Sequence, residues 1–191
     1  MIFESALKTL ERITKHLKDT FMQEQDIRSI VVAGGCFWGV EEYYKRLKGV
    51  ISTTVGYSQG MTDHPTYEEV CTMETDHAEV VEVVYDHNII TLENILEHLF
   101  RMIDPLSLNQ QGGDVGTQYR TGIYYSDSKD LPIIKHFFMQ EQQAYSAPIA
   151  VEVEPLKNFW NAEEMHQDYL AKNPRGYCHI NFSLIKPREL K

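Results

Sequence analysis

The sequence has few cysteines, few cations and no long apolar segment, and each shortage excludes a class of protein. Only three of the 191 residues are cysteine, and an odd, widely spaced set does not form the disulfide framework of a small exported domain. Lysine and arginine number 18 against 28 aspartates and glutamates, which gives a net charge of −10. That balance argues against a nucleic-acid-binding surface, which needs clustered cations, and against attachment to an anionic membrane.

Membrane and export signals are also lacking. No apolar run approaches the roughly 20 residues that a membrane-spanning helix needs. Near the N-terminus, charged side chains interrupt what would be the apolar core of a signal peptide, namely Lys8, Glu11, Arg12 and Lys15. We therefore expect a cytoplasmic protein in a reducing compartment, where cysteine serves as a reactive thiol.

The composition that remains is that of a globular domain. Hydrophobic residues make up 42% of the chain and charged residues 24%, and this length suits one domain with a buried core. Apolar residues recur at steps of three and four from Leu7 to Phe21, which predicts an amphipathic helix capped by Ser5. We predict that residues 1–28 form a helical extension of a domain at residues 29–191; alternatively, its apolar stripe meets a partner chain.

Beyond this extension, the order of the predicted elements is typical of a split β-α-β fold. Apolar runs and helical periodicity predict strand, helix, strand, strand, helix and strand at residues 30–33, 40–48, 50–57, 78–85, 92–103 and 121–125. This order predicts an α+β protein, a ferredoxin-like two-layer α/β sandwich with a mixed central sheet. Further predicted elements are a helix at 128–144, a strand at 149–153, a helix at 161–171 opened by an Asn161–Glu164 capping pair, and an irregular tail.

Cys36 lies in the sequence Gly34-Gly35-Cys36-Phe37-Trp38-Gly39, between a predicted strand and a predicted helix. The free N–H groups and the dipole at the start of a helix favour a thiolate. Two preceding glycines allow a tight turn and a close approach of a ligand. The alternative is that Cys36 is a buried small hydrophobe, because free cysteines are often buried.

Glu79 is a charged residue inside an apolar strand. A carboxyl group that is desolvated there tends to keep its proton and can act as a general acid near neutral pH. The alternative is a side chain that points to solvent from a half-exposed strand.

Other candidates lie in polar or glycine-rich segments. The phenols of Tyr67 and Tyr119 can donate hydrogen bonds to a ligand oxygen, although most tyrosines only cover the edge of a core. Asp114 lies in the predicted loop at 104–119 and is either a functional residue or a turn former. Cys178 lies in a glycine-containing tail from which it can reach another thiol, whereas we interpret Cys71 as structural.

Several motifs for other chemistries are incomplete. His77-Ala78-Glu79 matches half of a zinc deaminase motif, but the P-C-x-x-C half is missing, and neither a C-x-x-C motif nor a phosphate-binding loop occurs. We therefore expect no metal and no cofactor. A hydrolase that pairs Cys36 with His166 stays an alternative, although the sequence context of papain-type cysteines is absent.

Six short blocks carry a resemblance to a known family. They are Gly35–Gly39, Pro65–Tyr67, His77–Val80, Gly116–Arg120, His166–Leu170 and Gly176–Cys178. In this order they closely resemble the A-type peptide methionine sulfoxide reductases, over about residues 30–179. The resemblance implies reduction of the S-epimer of methionine sulfoxide, free or in proteins, with thioredoxin as the final reductant.

The same resemblance implies a role for each candidate. Cys36 matches the nucleophile, Glu79 the proton donor, and Cys178 the recycling cysteine that forms a disulfide with Cys36. Tyr67 and Tyr119 match the phenols that bind the sulfoxide oxygen. The remaining matches are to the substrate pocket, with Phe37 and Trp38 around the methyl group and Asp114 beside it.

The sequence departs from the family pattern at three places. Asp76 stands where relatives usually have glycine or asparagine, and its carboxylate either helps Glu79 to stay protonated or is simply exposed. The tail from Asn181 to Lys191 has no second recycling cysteine, so we expect a relay of two cysteines. The helical extension is not part of the family pattern.

Overall fold

The computed structural model describes residues 25–191. The predicted helix between Leu7 and Phe21, with its cap at Ser5, lies outside the described residues. Within 25–191, none of the helices has both the length and the apolar character needed to cross a membrane.

The chain forms a mixed α/β fold around one large sheet. Eight strands occur in the described part: β1 (Ile27–Gly34), β2 (Val50–Ser58), β3 (Ala78–Asp86), β4 (Gln110–Gln111), β5 (Asp114–Val115), β6 (Thr121–Tyr125), β7 (Glu152–Pro155) and β8 (Phe159–Asn161). The α-helices there are α1 (Phe37–Lys45), α2 (Tyr67–Cys71), α3 (Leu92–Met102), α4 (Asp130–Glu141) and α5 (Tyr169–Lys172).

The large sheet has six strands in the order β7-β6-β1-β3-β2-β8. Its neighbours pair antiparallel except β6 and β7, which are parallel. The prediction of a mixed central sheet is therefore confirmed. Strand β6 occupies the predicted residues, and the other three central strands extend one or more residues beyond their predicted ends.

Strand β3 is buried on both faces for most of its length, as its high content of apolar residues predicts. Val81 and Val83 belong to the main core with α1 and α3, whereas Val80 belongs to a smaller cluster on the other face that includes Tyr124. In the main core the Tyr44 hydroxyl donates a hydrogen bond of 2.8 Å to the backbone carbonyl of Ile95. This bond joins α1 to α3 and satisfies a buried hydroxyl.

The C-terminal tail is irregular, as predicted, and it is fixed to the end of α1. Leu190 forms a β-bridge with Leu47, and the Lys191 N–H donates to the carbonyl of Arg46. Glu189 accepts two hydrogen bonds from the Arg101 guanidinium on α3. The chain is therefore anchored on the C-terminal side of the segment that carries Cys178.

The predicted helix at 161–171 is wrong. Residues 159–161 form β8, which pairs with β2 at the edge of the sheet, and a short α5 begins only at Tyr169. The Gln167 side chain bonds both the N–H and the carbonyl of Val55, and Asp168 has a left-handed backbone with φ of 55°. These contacts with distant residues replace the hydrogen bonds of a helix. The Asn161–Glu164 capping pair therefore does not start a helix.

The predicted loop at 104–119 has internal structure. It contains the β4–β5 hairpin and a 3-10 turn at Thr117–Tyr119. The Gln111 side chain closes it by accepting from the Asp104 N–H and donating to the Asp104 carbonyl. Asp114 and Tyr119 are thus held in a braced segment.

Asp76 adopts a left-handed backbone conformation, with φ of 55°. Its side chain is 56% exposed and lies 3.9 Å from the Arg120 guanidinium. Glycine has no Cβ and adopts this conformation without a steric penalty, whereas other residues are strained in it.

We predict that Asp76→Gly is at least as stable as the unchanged protein and that Asp76→Ala is less stable than Asp76→Gly by about 1 kcal/mol. Both substitutions remove the carboxylate, so their difference isolates the backbone effect. Urea unfolding of the two variants measures it. Equal stability of the alanine and glycine variants would contradict the prediction.

Candidate active site

Cys36 is the N-cap residue of α1 and is 6% exposed. Gly35 before it has φ of +84°, a conformation that glycine adopts without strain. The backbone N–H groups of Trp38 and Gly39 face the sulfur and favour its ionised form. The tight turn from β1 into α1 thus places the thiol at the start of the helix, as the glycine pattern predicts.

The net effect on the thiol is the opposite of the predicted activation. Burial raises the pKa of Cys36 well above its ordinary value, and the negative charge of Glu79 raises this pKa further. The two N–H groups lower the pKa by less than these effects raise it. The protein without substrate therefore holds a neutral thiol, and the helix start only reduces the cost of ionising it.

Glu79 is 1% exposed and lies beside the nucleophile. Its Oε2 accepts a hydrogen bond of 3.0 Å from the backbone N–H of Phe37, the residue that follows Cys36. Burial raises the pKa of Glu79 to about 8, the charge of Asp114 adds to this, and the Phe37 N–H opposes it. At neutral pH Glu79 is mostly protonated and places no negative charge next to the sulfur.

Asp76 is not among the causes of this shift in the pKa of Glu79, although it lies three residues before it. The exposed Asp76 side chain faces Arg120 instead. Of the two interpretations of this departure from the family pattern, simple exposure is the one that fits the structure.

Tyr67 and Tyr119 lie on two different elements that meet near Glu79. Tyr67 begins α2, whose start is fixed by a capping box between Thr66 and Glu69, and Tyr119 ends the 3-10 turn. The pKa of each phenol is raised, first by burial and then by the charge of Glu79. Both phenols therefore keep their protons and can act as hydrogen-bond donors.

Aromatic rings form a wall beside the sulfur. The ring centroids of Phe37 and Trp38 are 6.3 Å apart, and Trp38 stacks on Tyr169 with centroids 3.8 Å apart. The Trp38 indole N–H donates a hydrogen bond of 3.1 Å to Nδ1 of His166. This arrangement fixes an apolar surface next to the nucleophile.

His166 thus belongs to the aromatic wall. Its Nδ1 accepts from Trp38, and its Nε2 lies 3.8 Å from a carboxylate oxygen of Glu163. Nδ1 is occupied by the indole N–H, and Nε2 is next to a carboxylate of another residue. The alternative of a hydrolase that pairs Cys36 with His166 therefore finds no support in this geometry.

Cys178 lies against the first turn of α1. Its Sγ is 3.0 Å from the position that a Cβ on Gly39 would occupy, and all three cysteines are free thiols. The neighbouring Tyr177 hydroxyl donates a hydrogen bond of 3.1 Å to Oδ2 of Asp114, and Nδ1 of His179 lies 3.4 Å from the same oxygen. Asp114 therefore contacts the segment that carries Cys178.

Cys71, which the sequence analysis interprets as a structural residue, lies near Tyr67 and Glu79 of the site. It is only half-buried. Burial raises the pKa of the Cys71 thiol, as does the charge of Glu79, whereas the Tyr67 phenol acts to lower this pKa.

One residue of the site was missed by sequence analysis. Glu163 accepts a hydrogen bond of 2.7 Å from the Tyr57 hydroxyl and one of 2.9 Å from the Tyr67 N–H. Nothing in the sequence marks it, because a glutamate early in a predicted helix is an ordinary solvent-facing residue.

The described residues contain no group of three or more histidine, cysteine, aspartate or glutamate side chains placed to hold a metal ion. The chemistry that the site offers is that of a thiol, a protonated carboxyl group and two phenols around an apolar surface.

Comparison with known proteins places this arrangement in a family. The model of the peptide methionine sulfoxide reductase family matches residues 28–190. The chain belongs to this family. A curated relative, the peptide methionine sulfoxide reductase MsrA of Ureaplasma urealyticum serovar 10, is 56% identical over 162 residues, which cover 85% of this chain and 98% of the relative.

Solved structures are also similar to this chain. Mxr1 from Saccharomyces cerevisiae in reduced form matches with a TM-score of 0.76 and 41% identity, over 80% of this chain and 88% of that one. Mxr1 in complex with Trx2 matches with a TM-score of 0.54 and 30% identity, over 75% and 84% of the two chains.

We predict that Glu79→Gln stabilises the protein at high pH. Folded Glu79 keeps its proton to about pH 8, whereas an unfolded glutamate ionises at about pH 4.3. As the pH rises between these values, the unchanged protein loses stability relative to the glutamine variant, by an amount on the order of a few kcal/mol. Urea unfolding from pH 4 to pH 9 measures this difference.

Glu82→Gln is the matched control, since Glu82 lies on the same strand and is partly exposed. Its difference from the unchanged protein is expected to stay nearly constant over the same range. A Glu79→Gln difference that does not grow with pH would show that Glu79 is ionised in the folded protein.

Proposed function

We propose that this chain reduces methionine S-sulfoxide, free or in proteins, to methionine, with Cys36 as the nucleophile and thioredoxin as the final reductant. Membership of the reductase family supports the reaction, and the complex of Mxr1 with Trx2 supports the reductant. The observation that carries the assignment of the site is the bond from the Phe37 N–H to Glu79, because it joins a proton donor to the residue after a buried thiol.

The chemistry of a sulfoxide matches these side chains. Its sulfur is a soft electrophile and its oxygen is basic, so a thiolate attacks the sulfur while a proton is delivered to the oxygen. Glu79, protonated at neutral pH, gives its proton to the oxygen and regains one from the Cys36 thiol. The attack forms a bond between the two sulfur atoms. The substrate S–O bond then breaks, the oxygen passes as water to the Cys36 sulfur, and the S–S bond breaks to release methionine. The products are methionine and a sulfenic acid on Cys36, so protons and the oxygen atom balance.

Two phenols assist the same step. The hydroxyls of Tyr67 and Tyr119 donate hydrogen bonds to the sulfoxide oxygen as negative charge develops there. Loss of one such donor typically costs about 2.7–4 kcal/mol of transition-state stabilisation. The raised pKa of each phenol supports this role, since an ionised phenol could not donate.

Recognition of the substrate rests on the aromatic wall. Phe37 and Trp38 enclose the methyl group on sulfur, and Asp114 lies in the pocket for the rest of the substrate. With the methyl group on one side and the oxygen donors on the other, only one epimer presents its sulfur to Cys36.

Cys178 completes the cycle. Its thiol attacks the sulfenic acid of Cys36, a disulfide forms and water leaves. A dithiol of the thioredoxin type then reduces the disulfide and is itself oxidised to a disulfide. The position of Cys178 Sγ against Gly39 supports this pairing, since Gly39 lies in the first turn after Cys36.

We predict that Cys36→Ser abolishes reduction of the S-sulfoxide and that Cys178→Ser performs about one turnover per chain and then stalls with thioredoxin. The first variant lacks the nucleophile, and the second retains it but cannot form the disulfide. Methionine released per chain, measured with and without thioredoxin, tests both. Cys71→Ser is the control and is expected to keep turning over.

Mass spectrometry after treatment with methionine sulfoxide and no reductant tests the same scheme directly. We expect a Cys36–Cys178 disulfide and one methionine formed per chain. Steady turnover of Cys178→Ser with thioredoxin would remove Cys178 from the mechanism.

We also propose that the central strands form a ferredoxin-like sandwich. The order β6-β1-β3-β2, with α1 after β1 and α3 after β3, supports it. Free thiols and the need for a dithiol reductant favour a reducing compartment such as the cytoplasm.

We propose further that residues 29–191 carry the activity and that residues 1–28 are an extension without a catalytic role. The family model supports this division, since its match begins at residue 28. Removal of residues 1–24 is predicted to leave kcat and KM with methionine sulfoxide within about twofold, a ratio that corresponds to about 0.4 kcal/mol. A larger loss in a variant that still folds would assign the extension to the site.

A further inference from the structure

Glu163 contacts both halves of the substrate pocket through one carboxylate. Oε1 accepts a hydrogen bond of 2.9 Å from the Tyr67 N–H, and Oε2 accepts one of 2.7 Å from the Tyr57 hydroxyl. Oε2 also lies 3.8 Å from Nε2 of His166. Glu163 is therefore connected to the phenol-bearing helix α2 on one side and to the aromatic wall on the other.

The hydrogen bond of Trp38 decides the tautomer of His166. An indole N–H is only a donor, so Nδ1 of His166 must present a lone pair to it. Burial lowers the pKa of His166, which leaves the ring neutral, with its one proton on Nε2. Nε2 lies 3.8 Å from the Glu163 carboxylate, beyond hydrogen-bond distance, so the carboxylate acts on this proton through its negative charge.

We propose that Glu163 is a positioning residue for methionine sulfoxide, which orients the Trp38 ring through His166 and the Tyr67 phenol through the start of α2. The charge of the carboxylate stabilises the His166 tautomer that accepts the Trp38 indole N–H. The same carboxylate holds the first N–H of the helix that carries the phenol. This inference rests on the proposed function and adds a residue that acts through others without touching the substrate.

Two further contacts support a shared role. The rings of Tyr67 and His166 have centroids 4.6 Å apart, and those of Phe37 and His166 are 5.4 Å apart. A rotation of the His166 ring would therefore disturb the oxygen-binding and methyl-binding sides together. Tyr57, the second donor to Glu163, also packs against Phe37, with centroids 5.9 Å apart.

The test compares Glu163→Gln with Glu164→Gln. Glutamine has nearly the same shape, but it is neutral, and an NH2 group that can only donate replaces one of the two oxygens that accept here. Glu164 is the neighbouring residue. Within residues 25–191 its side chain bonds only Lys172, which is exposed. Initial rates of S-sulfoxide reduction and the indole N–H resonances of labelled protein are measured for both variants.

For Glu163→Gln we expect KM for methionine sulfoxide to rise about tenfold, the effect of losing a hydrogen bond to a charged group. The Trp38 indole N–H resonance is expected to shift and to exchange faster with water. The Trp160 resonance is an internal reference, because its N–H has no hydrogen-bond partner in the described structure, and Trp160→Phe assigns it. Glu164→Gln is expected to change neither quantity.

His166→Phe provides a second route if Glu163→Gln does not fold. It removes the acceptor of the indole N–H and keeps a ring, so it is expected to move the same resonance and to raise KM. Adding Glu163→Gln to His166→Phe should then produce no further shift of the Trp38 resonance, because the two residues act through one contact.

Two results would overturn the inference. One is a Trp38 resonance that stays unchanged in Glu163→Gln. The other is a lower kcat with KM unchanged, which is what a reduced fraction of folded protein produces. Failure of the unchanged protein to form methionine would count against the proposed function alone, since the resonance of Trp38 is measured without turnover.

Discussion

The site depends on burying a carboxyl group beside a thiol. The dry environment of Glu79 raises its pKa to about 8, and the Phe37 N–H holds it next to Cys36. A proton on Glu79 removes the like charge that would otherwise oppose ionisation of the sulfur. The same burial raises the pKa of the Cys36 thiol, so the thiol has to lose its proton before it can attack.

The sheet supplies the rigidity that this burial requires. Glu79 lies near the start of β3, a strand with packed cores on both faces, and Cys36 follows β1, which pairs directly with β3. The Glu79 carboxyl group is 1% exposed, so it cannot reach water unless the side chains packed around it move. The proton donor and the nucleophile are thus held by adjacent strands, whereas the phenols come from shorter elements.

Much of this arrangement could be predicted from the sequence. The strands around the site have apolar runs with clear ends, and the glycines before Cys36 mark the turn that places it at a helix start. The cluster of Cys36 with Glu79, Tyr67 and Tyr119 follows from the family resemblance, because those residues lie far apart in the chain. Local patterns alone left each of them with a structural alternative.

Two features could not be predicted, for the same physical reason. The helix expected at 161–171 has good local propensity, but the pairing of Asn161 with Gly56 and the bonds of Gln167 to Val55 outweigh it. The pKa of Cys36 depends on burial and on a neighbour 43 positions away, so a helix start alone gave the wrong direction. Interactions between distant residues decide both cases, and no local pattern encodes them.

The anchored tail bears on how the oxidised enzyme meets its reductant. Leu190 is bridged to Leu47 and Glu189 is bound to Arg101, so Cys178 lies in a loop closed at both ends and not on a free end. Such a loop has limited freedom to move away from α1. The reductant therefore has to reach the Cys178 thiol close to the first turn of α1, against which that thiol lies.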